Sequence, residues 1–207
     1  MISIIDYGLG NILAFVNIYK KLNIPVEVVS SSSMLGSAEK IILPGVGSFD
    51  WAMTRLNDSG MRESLDKIVK SSNVPVLGIC VGMQMMANNS EEGELEGLGW
   101  IDAGVKHFTK SGLGESVNVP HMGWNNATPI INSPLFIGLE KEARFYFLHS
   151  YYFSCAKESQ ILSRTSYNFP FASSVFYKNR FGVQFHPEKS HHWGVKLLKN
   201  FAEIEKC

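Results

Sequence analysis

The sequence predicts an α/β protein: a doubly wound, mostly parallel sheet with helices on both faces, plus a small antiparallel addition, all in one domain over residues 1–207. Three observations carry this. As far as Cys80, short and nearly continuous apolar runs alternate with stretches of helical periodicity, the pattern of parallel strands buried on both faces. Beyond Gly99 the apolar segments become shorter and follow one another without long helices, as in a mixed or antiparallel sheet. With 207 residues, 45% hydrophobic and 18% charged, the chain can bury a full core without splitting into several domains.

In order, Ile2-Ser-Ile-Ile is a first strand, followed by Asp6-Tyr-Gly-Leu-Gly-Asn11. Ile12, Phe15, Val16, Tyr19 and Leu22 then recur at helical spacing, with Asn11 as the expected cap. Pro25-Val-Glu-Val-Val29 is a second strand and, after a serine-rich loop over Ser30–Ser33, Ile41-Ile-Leu43 a third. Pro44-Gly-Val-Gly47 leads into a helix capped by Ser48, with Phe49, Ala52, Met53 and Leu56 on one face and Gly60 at its end. Met61, Leu65 and Ile68 mark another helix before the strand Val74–Cys80, behind which a helix carrying Gln84 is expected. An acidic, glycine-rich loop spans Asn88–Gly99. The segments Trp100–Phe108, Phe145–Phe153, Ile161–Thr165, Ala172–Tyr177 and Phe181–Phe185 supply the mixed addition, and Ser111-Gly-Leu-Gly114 reads as a turn or tip. A final helix buries Val195, Leu198, Phe201 and Ala202.

Lysine plus arginine equal aspartate plus glutamate at 19 each, so no net field recruits nucleic acid or an anionic membrane. No run of apolar residues is long enough to span a bilayer, and Met1–Asp6 lacks the basic start of a signal peptide. Cys80, Cys155 and Cys207 form no CxxC pair, which argues against a disulfide framework or a structural metal site and fits a reducing, cytoplasmic compartment. Cys155 and Cys207 read as inert.

The chemistry centres on Val74-Pro-Val-Leu-Gly-Ile-Cys80-Val-Gly-Met-Gln84. Gly78 and Gly82 flank Cys80 as in a G-x-nucleophile-x-G turn, where small residues allow a sharp bend that exposes a side chain at a strand end. A helix behind the turn would aim its positive end at the sulfur, and Gln84 would share its face. The loops after Ile5, Leu43 and Ile79 all lie at carboxyl ends of parallel strands, where such sheets collect ligands. A nucleophilic thiol needs a base and an orienting group. His186 ends the apolar strand Gly182-Val-Gln-Phe-His-Pro-Glu188, Pro187 stops further pairing, and Glu188 lies two residues on, so the side chains project to one side. Cys80, His186 and Glu188 thus form a candidate triad.

Together, Gly78-Ile-Cys-Val-Gly-Met-Gln84 and His186-Pro-Glu188 resemble the class I (triad) glutamine amidotransferases, whose sheet is flavodoxin-like. Pro120-His-Met-Gly-Trp-Asn125, Phe145-Tyr-Phe-Leu-His149 and His186-Pro-Glu-Lys-Ser190 narrow the resemblance to the branch of glutaminase subunits of imidazole glycerol phosphate synthases. Asp6–Asn11 and Pro44–Gly47 match as well, so the resemblance runs from end to end; Val81 stands where leucine is usual, which keeps the backbone donor. The resemblance implies hydrolysis of L-glutamine to glutamate and ammonia through a thioester on Cys80, with no cofactor and no metal. It implies oxyanion donors at Val81 and in the Gly47 loop, and substrate contacts at Gln84, His149, Ser150 and Tyr151. It implies a cyclase partner of (β/α)8-barrel fold, joined as a heterodimer through Asn11, His121, Trp124, Tyr146 and Lys189, that makes imidazole glycerol phosphate and an aminoimidazole carboxamide ribotide.

Plainer readings stand beside these. His149 reads equally as a satisfied core histidine, and His121 as structural or as part of the interface. His191 and His192, adjacent on a helix, face apart and read as a solvated helix start rather than a metal pair. The rival functions are a paralogous glutaminase feeding another acceptor, such as a surface-sugar precursor, a catalytically silent binding protein, and a different cysteine hydrolase.

Overall fold

The computed structural model describes residues 1–110 and 118–205; the expected turn at Ser111–Gly114 and Cys207 lie outside the described residues. Strand β1 (Ile2–Ile5) leads to helix α1 (Ile12–Lys21), then β2 (Val26–Val29), β3 (Lys40–Gly45), helices α2 (Phe49–Asp58) and α3 (Arg62–Ser71), and β4 (Val76–Cys80). A one-turn helix, α4 (Val81–Gln84), is followed by β5 (Asn89–Ser90), β6 (Ala103–His107), β7 (His121–Asn126), β8 (Thr128–Pro129), β9 (Arg144–His149) and β10 (Tyr151–Cys155). Strands β11 (Ile161–Tyr167), β12 (Phe169–Tyr177) and β13 (Arg180–Val183) precede helix α5 (His191–Glu203).

The main sheet runs β2-β1-β3-β4-β13-β12-β10-β6-β5, with β11 and β8 joined through β12. From β2 to β13 every pairing is parallel; β12, β10, β6, β11 and β8 add antiparallel ladders. Every residue of β1, β4 and β13 is buried, which requires cover on both faces of the parallel half and explains their largely apolar composition. Because β13 runs parallel to β4, its carboxyl end emerges beside that of β4 and carries Gln184–His186 to the edge where Cys80 lies.

Local departures from the expected pattern have physical causes. Asn11 and Ser48 occupy N-cap positions, but neither side chain closes a cap; the Phe49 amide instead donates to the Glu92 carboxylate at 2.8 Å. The helix behind Cys80 stops after four residues, because the carbonyls of Met85 and Met86 accept amides from Leu98, Trp100 and Ile101 rather than from the next helical turn. Gly97 permits this return, since a Cβ there would sit 2.0 Å from the Ala87 carbonyl oxygen. The expected segment Phe145–Phe153 breaks at Ser150 into β9 and β10, which belong to different sheets. Trp124 lies on a strand, β7, paired with β9, whose alternation Gly123 interrupts. The buried face of α5 is Gly194, Leu197, Leu198, Asn200 and Phe201, leaving Val195 and Ala202 only half-buried.

Two backbones meet at the nucleophile turn. A Cβ on Gly82 would sit 2.0 Å from the Leu43 carbonyl oxygen, and one on Gly45 would lie 2.3 Å from the Gly82 amide nitrogen. Gly82→Ala should therefore lower the unfolding free energy by about 1–3 kcal/mol, as overpacking of a filled core does, read from the shift in a urea denaturation midpoint. An unchanged midpoint would mean that α4 does not press on β3.

Candidate active site

Cys80 closes β4 with φ 55° and ψ −114°, a backbone conformation that costs a non-glycine residue on the order of 1–3 kcal/mol. The strain persists because β4 is held on both edges and α4 is pinned against β3. With only one helical turn behind it, the sulfur receives little from a helix dipole; its electrostatic partner is a histidine.

His186 is buried, and its Nδ1 lies 2.9 Å from the Glu188 carboxylate while its ring also interacts with Cys80. Burial pushes the pKa of His186 down, but the hydrogen bonds and charges of Cys80 and Glu188 outweigh it and leave the ring pushed up to about 10. His186 thus sits between Glu188 and the sulfur, both of which favour its protonated form. Its backbone is fixed at both the amide and the carbonyl. The amide donates to the Tyr146 carbonyl, the carbonyl accepts from the Ser190 hydroxyl at 2.6 Å, and that hydroxyl accepts from the Tyr146 amide at 3.0 Å. Gly194 lets α5 approach this turn, since a Cβ there would lie 1.8 Å from the Pro187 carbonyl oxygen.

A cleft of about 230 Å³ opens over Cys80, lined by Gly47, Val81, Gln84, His149, Ser150 and Tyr151, all six singled out from the sequence, and by Glu92, Pro120 and Leu148. A larger groove of about 690 Å³, walled by Pro129–Pro134, Phe136, Ile137 and Glu140, lies away from these groups. Gly47 has φ +86° in an exposed loop, a conformation that favours glycine. The Gln84 amide nitrogen donates to the Tyr151 carbonyl at 3.3 Å and to Gln184 Oε1 at 3.0 Å, and Gln184 Nε2 lies 3.8 Å from Cys80 Sγ. The Tyr7 hydroxyl, buried beside Cys80, donates to the Pro44 carbonyl at 2.7 Å and anchors the start of the Gly47 loop.

The family profile of the class-I glutamine amidotransferases matches residues 3–204. The chain belongs to this family. It is 56% identical over 204 residues to the imidazole glycerol phosphate synthase subunit HisH of Bdellovibrio bacteriovorus, covering 99% of this chain and 100% of that one. It is 49% identical to the protein of the same name from Leptospira interrogans, again covering 99% and 100%. Among solved structures, a putative GMP synthase protein from Thermoplasma acidophilum superposes with a TM-score of 0.73 at 20% identity, covering 98% of this chain and 92% of that one, a likeness of fold.

Within this amidotransferase frame, the residues expected at a partner surface divide. Trp124, Tyr146 and Lys189 cluster: the Trp124 and Tyr146 rings are 6.3 Å apart, and Lys189 Nζ lies 5.9 Å above the Tyr146 ring. His191, expected to be merely solvated, stacks on Trp124 at 5.2 Å. Asn11 is exposed at the head of α1, which packs against the turn Pro187–Lys189. His121 is different: it is 2% exposed and bonded to His149, so it cannot itself touch a partner. Its register explains this, since alternate residues of β7 face in and out and His121 takes an inward position.

Gln184, Glu92, Tyr7 and Ser190 escaped the sequence reading. Gln184 had a signal: it is polar within an apolar strand and two residues before His186, hence on the same side. Ser190 sits where a helix cap is expected but spends its hydroxyl on His186 and Tyr146. Tyr7 and Glu92 had none, for their partners lie 37 and 43 residues away.

Because the folded pKa of His186 is raised, its pairing stabilises the fold fully below the ordinary histidine value and is lost as pH climbs through about 10. Cys80→Ala removes one of the two partners, and the His186 pKa should fall, read by titrating its ring resonances in NMR spectra. A pKa unchanged by the substitution would remove the sulfur from the pair.

Proposed function

We propose that this chain hydrolyses glutamine to glutamate and ammonia through a glutamyl thioester on Cys80 and passes the ammonia to a partner enzyme in histidine biosynthesis. The observation that carries the reading is the buried line Cys80–His186–Glu188 on a strained strand-end turn at the floor of a small cleft. Membership of the amidotransferase family and end-to-end similarity to proteins named as imidazole glycerol phosphate synthase subunits support it.

In this mechanism the Cys80 sulfur attacks the side-chain amide carbon. The tetrahedral oxyanion takes hydrogen bonds from the Val81 amide and a backbone amide of the Pro44–Gly47 loop. His186 gives its proton to the leaving nitrogen, ammonia departs and the thioester remains. His186, now neutral and oriented by Glu188, takes a proton from water, which attacks the thioester and releases glutamate and the free sulfur. Gln84, Ser150 and the His149–Tyr151 corner hold the substrate, and the Glu92 carboxylate suits its α-amino group. All of this needs a free thiol, which fits a reducing cytoplasm.

For the partner, we propose a cyclase of (β/α)8-barrel fold, bound as a heterodimer, that converts the ammonia into imidazole glycerol phosphate and an aminoimidazole carboxamide ribotide. Met122, Trp124 and Leu148 are exposed on paired strands β7 and β9, and Leu148 also lines the cleft, so an apolar contact surface adjoins the substrate site. Trp124, Tyr146, Lys189 and Asn11 are its proposed contacts.

The test is a glutaminase assay of the chain alone and then with the cyclase and its nucleotide. Cys80→Ala should lower the rate by about 10⁴-fold or more, and the cyclase with its nucleotide should raise the wild-type rate. Hydrolysis that survives Cys80→Ala would sink the mechanism. A rate indifferent to the cyclase would sink the pathway assignment.

A further inference from the structure

One buried polar chain runs behind the substrate wall and reaches His121 and Asn125, which these steps do not use. Tyr151's carbonyl can only accept, so His149 Nδ1, 2.7 Å away, carries a proton, and in the neutral ring His149 Nε2 is a lone pair. That lone pair faces His121 Nδ1 at 3.0 Å, which must therefore donate. His121 Nε2 is then the acceptor for Asn125 Nδ2 at 3.2 Å. The orientation of Asn125 is fixed independently, because Nδ2 also donates to the Ser166 carbonyl at 3.0 Å and Oδ1 accepts the Asn126 amide at 2.8 Å. Each link dictates the next, and both rings are neutral with the proton on Nδ1. A proton added to His149 Nε2 would set it against the His121 N–H.

The surroundings favour that state. Phe108, Phe147 and Phe171 pack against the two rings, and Tyr167 stacks on His121 at 4.1 Å. Burial lowers the His121 pKa to about 4 and that of His149 to about 3, where the neighbouring His121 and His186 also oppose a further positive charge. Among the described residues no third histidine, cysteine or carboxylate joins them in a metal-binding group. The chain continues towards the nucleophile, because the Tyr151 carbonyl also accepts from Gln84, Gln84 donates to Gln184, and Gln184 contacts the Cys80 sulfur. Its other end lies on β7, whose Met122 and Trp124 are exposed.

We propose that His121 is a positioning residue of the glutaminase: as a neutral Nδ1–H ring it locks the His149–Tyr151 corner, and through it Gln84 and Gln184, in the geometry that receives the substrate amide beside Cys80. The proposal rests on the glutaminase reading above. It turns a residue expected at the partner surface into a link between that surface strand and the substrate wall.

The experiment measures kcat and KM for glutamine in the assembled complex with wild type, Cys80→Ala, His121→Ala and His121→Asn. Ring-nitrogen NMR on the unsubstituted protein at neutral pH runs beside it. His121→Ala should raise KM about tenfold, the effect of losing one buried hydrogen bond, with a smaller change in kcat. His121→Asn, whose amide nitrogen can replace the Nδ1 donor, should recover most of the loss, which a merely space-filling role would not predict. The spectra should show both rings neutral and protonated at Nδ1. Cys80-dependent hydrolysis with an unchanged KM in His121→Ala, equal losses in the Ala and Asn variants, or an imidazolium or Nε2–H ring at either position overturns this proposal alone. Absence of Cys80-dependent hydrolysis in the wild type overturns the glutaminase reading and this proposal with it. Should His121→Ala fail to fold, His121→Asn and the spectra decide.

Discussion

The site depends on one close approach of two backbones. Because Gly45 and Gly82 lack side chains, the one-turn helix after Cys80 presses directly on the end of β3. That contact does three things together. It holds the strained backbone of Cys80 in place, it sets the Val81 amide beside the Pro44–Gly47 loop, and it fixes the cleft to the carboxyl edge of the parallel strands. Interiors packed this tightly have no room for even one methyl group, so the geometry of the nucleophile is set by sterics before electrostatics enters.

Electrostatics then comes from the neighbouring strand. Being parallel to β4, β13 delivers Gln184 and His186 to the same edge, and Pro187 turns the chain so that Glu188 reaches back to the His186 ring. Ser190 and Gly194 make that turn rigid, one by its hydroxyl and one by having no side chain. The contrast among the histidines is informative. His186 is buried between Cys80 and Glu188, which raise its pKa, whereas His121 and His149 are buried among aromatic rings, which lowers theirs. Burial depresses all three; only at His186 do the hydrogen bonds and charges of its partners reverse the direction.

The catalytic chemistry was legible in the linear sequence to an unusual depth because its signals are local. Glycines two residues either side of Cys80 announce a sharp turn, and a two-residue spacing puts His186 and Glu188 on one side of an extended chain. Continuous apolar runs announce parallel strands. The same locality explains the errors. Gly123 broke the alternation of β7, and nothing near Ser150 signals that one apolar segment serves two sheets. The acidic loop's return onto Met85 and Met86, which cuts α4 to a single turn, is a long-range event as well.

By itself, then, the sequence determined the alternating α/β order, the apex position of Cys80, the pairing of His186 with Glu188 and six of the residues that line the cleft beside Cys80. Tertiary structure alone decided which way His121 faces, that Tyr7 holds the Pro44 carbonyl, that Gln184 joins Gln84 to the sulfur, and that Ser190 supports the base. The physical reason is range. Periodicity and turn chemistry report on neighbours a few residues apart, but Gln84 and Gln184 meet across 100 residues and Tyr7 and Pro44 across 37. Such hydrogen bonds exist only once the sheet has brought its carboxyl edge together.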